Sequence, residues 1–262
     1  MMDQPAVMTK ASARVVGLYS YPKSGNTWVR SIIAAACAMP DNPGTLQRYV
    51  TDTHKGRVMT DPWAFQGRHW YFYKSHHQQV LTRHQGDHFA TDRIVSIHRH
   101  PLDVFVSYLN FVSGNVAPQA GAALPFRFAS VDALTEAQME TLFAIFLEHG
   151  TLVPQNRLFG SVFGHWNAFS ARAASRGDVL LMRYEDLEAD FAHQVARLCG
   201  FVGLHDIDLE ATFRGADRRT AANDKFFWKR SSGGHKAHLS EAQIARFHER
   251  HGAAMQAMGY AL

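Results

Sequence analysis

Cysteine is scarce in this chain. Its 262 residues include only Cys37 and Cys199, too few for a disulfide framework or a zinc cluster. Nine prolines and 19 glycines do not make a collagen-like or low-complexity sequence. Charged residues are only 19% of the chain and hydrophobic ones 46%. That balance excludes disorder and suits one large core. Long apolar runs are missing too. The longest, such as Ile32 to Met39, are far too short to span a bilayer. Met1 to Arg14 has no apolar stretch of the secretory kind. The expectation is a soluble, cytoplasmic protein without stable membrane insertion. A strong charge of one sign is also absent: 27 Lys and Arg stand against 23 Asp and Glu, a net +4. That suits an anionic ligand but is not the dense basic field of a nucleic-acid binder. What is abundant is histidine, with 16 residues that titrate near neutrality.

The pattern along the chain predicts strands at Arg14–Tyr21, Trp70–Lys74, Arg93–His98 and Val179–Tyr184. Helices are predicted at Trp28–Met39, from about Leu102, and around Glu188–Cys199. This alternation implies an α/β fold with a central parallel sheet flanked by helices. Thr135-Glu-Ala-Gln138 and Ser240-Glu-Ala-Gln243 read as capping boxes opening further helices, the first ending at Gly150. Asn115 to Phe128 is rich in Gly, Ala and Pro without a period. Residues 113–131 are therefore expected to form a flexible substrate loop. No repeat or linker divides the chain, so residues 1–262 are expected to form a single domain.

Tyr21-Pro-Lys-Ser-Gly-Asn-Thr-Trp28 lies between a predicted strand and a predicted helix. A helix N-terminus offers free N–H groups and a positive dipole end. Gly25 lets the backbone approach a phosphate closely. Lys23 adds a full charge, Ser24, Asn26 and Thr27 add donors, and Trp28 a flat face. The spacing is not a Walker A motif. An ordinary strand–turn–helix with a surface lysine is the plain alternative.

The same eight residues resemble the phosphosulfate loop of the cytosolic-type sulfotransferases, written YPKSGTTW, with Asn26 in place of Thr. Those enzymes move sulfonate from 3′-phosphoadenosine 5′-phosphosulfate (PAPS), leaving adenosine 3′,5′-bisphosphate (PAP). The resemblance implies a P-loop-like nucleotide-binding architecture and PAPS as donor substrate. Further segments follow in the family's order. Arg99-His-Pro-Leu-Asp103, with Ser107 and Tyr108, is similar to RxPxDxxxSxY, which implies that Arg99 and Ser107 hold the 3′-phosphate. Arginine and serine suit phosphate as fork and extra donor. A surface pair of Arg99 with Asp103 is the plain alternative. Tyr73-Lys-Ser-His-His77 resembles the family's Lys-Thr-His segment. It implies His76 as general base and Lys74 as a charge near the transferring group; His77 is the competing base. Imidazole suits that work because it titrates near neutral pH.

Gly160 to Trp166 is only loosely similar to the family's Gly-Ser-Trp region. The strand ending Arg-Tyr-Glu-Asp-Leu187 implies Tyr184 near the adenine. Thr212-Phe213 resembles a Ser-Phe pair, which implies Phe213 against the purine face, with core packing as the alternative for this set. Phe227 to Lys236 departs furthest from the family's RKGxxGxWK. Trp228 stands for Arg and His235 for Trp, leaving Lys229 and Arg230 as cofactor-binding candidates. A basic surface loop is the alternative. The family's dimer signature is degraded, with Ala245 replacing Glu, so a homodimer is neither required nor excluded.

No metal is expected. There is no HExxH pair, and Gly86-Asp87 argues against a helix that would align His84 and His88. The implied partner is a small-molecule acceptor: a phenol, alcohol, sugar or lipid bearing a hydroxyl. Residues 41–69, with Tyr49, Trp63 and Phe65, and 113–131, with Phe126 and Phe128, are the expected acceptor loops. A P-loop-like nucleotide kinase, or a non-catalytic nucleotide-binding protein of the same fold, are the alternative functions.

Overall fold

The computed structural model describes residues 13–114, 123–221 and 231–262. In chain order they form β1 (Arg14–Tyr19), α1 (Asn26–Ala36), α2 (Thr45–Tyr49), β2 (Val50–Asp52), β3 (Trp63–Phe65), β4 (Arg68–Ser75), β5 (Arg83–His84) and β6 (Asp87–His88). There follow β7 (Arg93–His98), α3 (Pro101–Val112), α4 (Glu136–His149), α5 (Val162–Arg176), β8 (Val179–Arg183), α6 (Tyr184–Ala189), α7 (Phe191–Val202), α8 (Leu209–Ala221) and α9 (Glu241–Ala257).

The main sheet runs β2-β4-β1-β7-β8, and these strands are parallel to their neighbours. Only β3 is antiparallel, against the start of β4. Alternation along β1 explains why helices cover both faces. Val16 and Leu18 enter a core with Ile32 of α1 and Leu198 of α7. Val15 and Tyr19 enter another with Phe169 of α5. A separate cluster joins α3, α4 and α9 through Phe105, Phe143, Phe146 and Phe247. The fold is thus the expected α/β one.

Element ends differ from expectation in instructive ways. Strand β1 stops at Tyr19 because Ser24 N–H turns back to Tyr21 O and Lys23 takes φ 70°. Tyr184 opens α6 instead of ending β8. Both capping boxes form, and Gly150 caps α4 at φ 62°. His84 and His88 sit on a two-stranded hairpin, β5–β6. The described ends of the 113–131 stretch are anchored: Gly114 N–H donates to Phe128 O, and Leu124 and Val131 are buried.

Candidate active site

Five parallel strands bring five C-terminal ends to one sheet edge, where parallel α/β folds bind ligands. The segments leaving that edge begin at Thr53, Ser20, His76, Arg99 and Tyr184. Register does the local placing. Tyr19 pairs with Ser75, so Ser20 and His76 leave the sheet side by side.

The loop before α1 has the features of an anion cradle. Gly25 O accepts from Trp28 and Val29 N–H. Among the described residues, no acceptor meets the N–H of Gly25, Asn26 or Thr27. Ser24 is fully buried, and its Oγ has no partner there either. Gly25 sits at φ 102°, and a Cβ would lie 2.7 Å from Tyr184 Cδ2. A side chain at this position is therefore excluded both by strain and by collision. Lys23 Nζ lies 4.7 Å from the Phe111 ring centre. Burial, then Arg99 and Lys74, push its pKa down to about 7. A buried amine crowded by cations is a site that an anion would relieve.

The Asn26 side chain turns inward. Its amide Nδ2 donates inward to Leu18 O at 3.1 Å and Ser20 Oγ at 3.2 Å. It offers a ligand its backbone N–H and braces the loop against β1.

His76 Nδ1–H donates to Ser20 O at 2.8 Å. A carbonyl only accepts, so this bond selects the Nδ1–H tautomer and leaves the Nε2 lone pair for a proton. Burial, then Lys74, hold the His76 pKa well below the usual imidazole value. His77 is also pushed down, by burial and by His54 and His84, but no comparable bond orients its ring. Lys74 is not a bare charge. Its Nζ lies 3.0 Å from Asp52 Oδ2 on neighbouring β2, and burial lowers its pKa to about 8 against the pull of Asp52. The alignment of β2 beside β4 was not legible in the sequence, so Asp52 was missed.

Arg99 does not pair with Asp103 at the surface. Its guanidinium lies 4.3 Å from the Tyr184 ring centre, and one NH2 donates to Ser231 O at 2.8 Å. Its Nε is buried and has no partner among the described residues. Asp103 instead accepts from Gly233 N–H, His235 N–H and His235 Nδ1–H at 2.7, 2.9 and 2.8 Å. It latches the 3-10 turn Gly234–Ala237 to α3. Among the described residues, His100, Asp103 and His235 are the one group close enough to share an ion. The two imidazoles are stacked, 4.5 Å apart with planes 1° from parallel. Their in-plane lone pairs cannot converge on one metal in this arrangement. Ser107 lies in the second turn of α3, partly exposed. Lys229 and Arg230 lie outside the described residues.

An aromatic series runs along the other side. Trp28 is 5.2 Å from Tyr184 and 6.2 Å from Phe191, which is 5.0 Å from Phe213. Phe213 is 50% exposed, so it is not a core residue. Thr212 is buried and spends its hydroxyl on Asp208 O at 2.7 Å, a helix-internal role. Phe191 had no motif to mark it.

Of the expected acceptor aromatics, Tyr49, Trp63 and Phe65 lie away from His76, whereas Phe126 and Phe128 pack on the α3–α4–α9 cluster that Phe111 and Phe159 also join. Trp63 Nε1 donates to Cys37 O at the far end of α1, and Tyr49, Trp63 and Phe65 pack on the core there. What stands beside His76 is His54, 6.2 Å away, and Phe159, 5.7 Å away.

The model of the sulfotransferase domain family matches residues 14–259. A comparison with curated proteins returns no match. Among solved structures, the chain is similar to mouse sulfotransferase SULT7A1 complexed with PAP. The two are 17% identical, with 93% of this chain and 84% of that one covered, at a TM-score of 0.57. Retinol dehydratase in complex with androsterone and the inactive cofactor PAP is 14% identical, with 95% and 82% covered and a TM-score of 0.61. A putative steroid sulphotransferase of Arabidopsis thaliana is 16% identical, with 95% and 80% covered and a TM-score of 0.56. At such identities the likeness is one of fold.

Proposed function

The chain belongs to the sulfotransferase domain family, and from that premise we propose that it moves sulfonate from PAPS to an acceptor hydroxyl, with His76 as the base. One observation carries the donor side. Among the described residues, the loop from Lys23 to Thr27 presents the N–H groups of Gly25, Asn26 and Thr27 and the buried Ser24 hydroxyl without partners, next to a lysine of lowered pKa at a strand end. That is the chemistry of a phosphosulfate seat. Its neighbours from the other strand ends fit the rest of the nucleotide. Arg99, whose buried Nε has no partner among the described residues, and Ser107 are assigned to the 3′-phosphate. The faces of Trp28, Tyr184 and Phe213 are assigned to the adenine. Lys229 and Arg230 are proposed to complete the clamp.

PAPS, when bound, supplies a sulfonate joined through an oxygen to phosphate. His76 Nε2 takes the acceptor hydroxyl proton as the new oxygen–sulfur bond forms. The sulfur–oxygen bond to phosphate breaks, and its electron pair stays on that phosphate oxygen. Lys23 and the loop N–H groups neutralise the charge that develops there, usually the largest catalytic contribution. Lys74 acts more weakly, since Asp52 already balances its charge. Because His76 stays neutral across the physiological range, it is ready to accept a proton throughout.

Calorimetric titration with PAP, 5′-AMP and Mg-ATP tests the donor assignment. PAP is expected to bind more tightly than both others, because a buried Arg99 without its phosphate penalises them. His76→Ala should keep that binding and lose transfer by roughly 100- to 10,000-fold. Equal binding of 5′-AMP, or preference for Mg-ATP, would favour a generic nucleotide-binding protein or a kinase.

A further inference from the structure

The acceptor side of His76 has a composition that narrows the substrate. Because Asp52 pairs with Lys74 across β2 and β4, the segment after β2 turns out beside the segment after β4. His54 therefore lies 6.2 Å from His76 and 6.1 Å from His77, ring centre to ring centre. Phe159 stands edge-to-face to both His54 and His76, at 5.3 and 5.7 Å. Three imidazoles and one phenyl ring thus gather at the place where an acceptor must meet the base.

Of the imidazoles beside His76, His54 is exposed and His77 half-buried. Among the described residues, the ring nitrogens of His54 and His77 have no hydrogen-bond partner, while their backbone N–H groups are tied to Asp52 and Ser75. His84, which couples to both, keeps a buried Nδ1 without a partner. Partial burial lowers the pKa of His54 and His77, which favours the neutral ring. A neutral imidazole has one donor and one acceptor nitrogen. A hydroxyl also both donates and accepts, so the two are complementary. An apolar acceptor would cover these nitrogens and leave them unpaired, a penalty of roughly tenfold or more for each. A carboxylated acceptor would find Lys74, the lysine whose charge acts on His54 and His76, already paired with Asp52.

We propose that the acceptor is a small polyhydroxylated molecule, of sugar or polyol type, whose neighbouring hydroxyls hydrogen-bond to His54 and His77 while the reacting one meets His76. Phe159 covers a C–H face of the same ring. The inference rests on His76 being the base of a sulfonate transfer. It makes His54 and His77 residues of acceptor specificity, with no part in holding the donor.

A matched pair of probes tests it. Myo-inositol and cyclohexanol share one six-carbon ring and differ in having many hydroxyls or one; methyl glucoside serves as a second polyol. Each is titrated into the full chain by ligand-observed NMR and calorimetry, with and without saturating PAP. At least one polyol is expected to bind ten times more tightly than cyclohexanol. His54→Phe and His77→Phe should abolish that preference and leave PAP affinity unchanged. Should His54→Phe lose PAP binding, His54→Ala, which removes the ring nitrogens without adding bulk, replaces it. Cyclohexanol binding as tightly as both polyols, or no binding of either polyol, would overturn the proposal. So would a polyol preference that survives both substitutions. Failure of PAP to bind would strike the donor assignment instead, and the polyol comparison is then read from the titrations without PAP.

Discussion

At the scale of single residues, the site is defined by groups held away from their ordinary state. Lys23 is the plainest. Burial and two neighbouring cations lower its pKa to about 7, so about half the amine is neutral at pH 7. A bound phosphate raises that pKa by bringing opposite charge. Protons are therefore taken up on binding, and PAP affinity falls as pH rises above 7. About half a proton per PAP is expected at pH 7. Calorimetry in buffers of different ionisation enthalpy measures it, and Lys23→Arg should remove it. Buffer-independent enthalpies for the unaltered chain would contradict this account. The motif made Lys23 visible in the sequence, but its protonation depends on Arg99 and Lys74, which arrive from other strands.

At the scale of elements, the junction of α3 with the turn Gly234–Ala237 decides how Arg99 is presented. Asp103 receives three donors from Gly233 and His235; burial works to raise its pKa, but the bonds from His235 and the charge of Arg99 hold it at about 2. The folded-state pKa is depressed, so its stabilisation is present above the ordinary carboxylate value of 3.8 and is lost as pH falls through about 2. The contribution at neutral pH is about 2 kcal/mol. Asp103→Asn should cost that order of stability in urea unfolding. It should also weaken PAP more than 5′-AMP, because Ser231 O, which orients Arg99, lies on the latched segment. Unchanged stability with an unchanged PAP to 5′-AMP ratio would dismiss the latch. The sequence placed Asp103 one helical turn from Arg99 and suggested a local pair. Only the tertiary fold supplies a partner segment 130 residues on.

At the scale of the molecule, the sheet gathers residues from Thr53 to Tyr184 at a single edge. A ligand spanning that edge adds contacts between strand ends to those that their side chains already make. PAP at 100 times its dissociation constant should add about 2.7 kcal/mol to stability. For a chain of this size that corresponds to a rise in Tm of roughly 5–10 °C. Differential scanning calorimetry should show the full rise with PAP and a smaller one with 5′-AMP at the same concentration. Identical shifts would mean that the 3′-phosphate makes no contact of consequence.

The strand–helix alternation, both capping boxes and the order of the phosphate segments were all legible in the sequence. Each is encoded within a few neighbouring residues, by hydrophobic period, by side-chain caps or by a glycine at positive φ. The tertiary structure alone decided what depends on which strand ends lie side by side. It placed Asp52 on Lys74, Ser20 O on the His76 ring, and His54 and Phe159 beside that ring. It also withdrew Trp63 and Phe65 to the far end of α1. Backbone propensity acts along the chain, whereas a polar group's partner and its burial are set by strand pairing across it. For that reason the phosphate-loop motif was readable along the chain, and the surroundings of His76 had to wait for the fold.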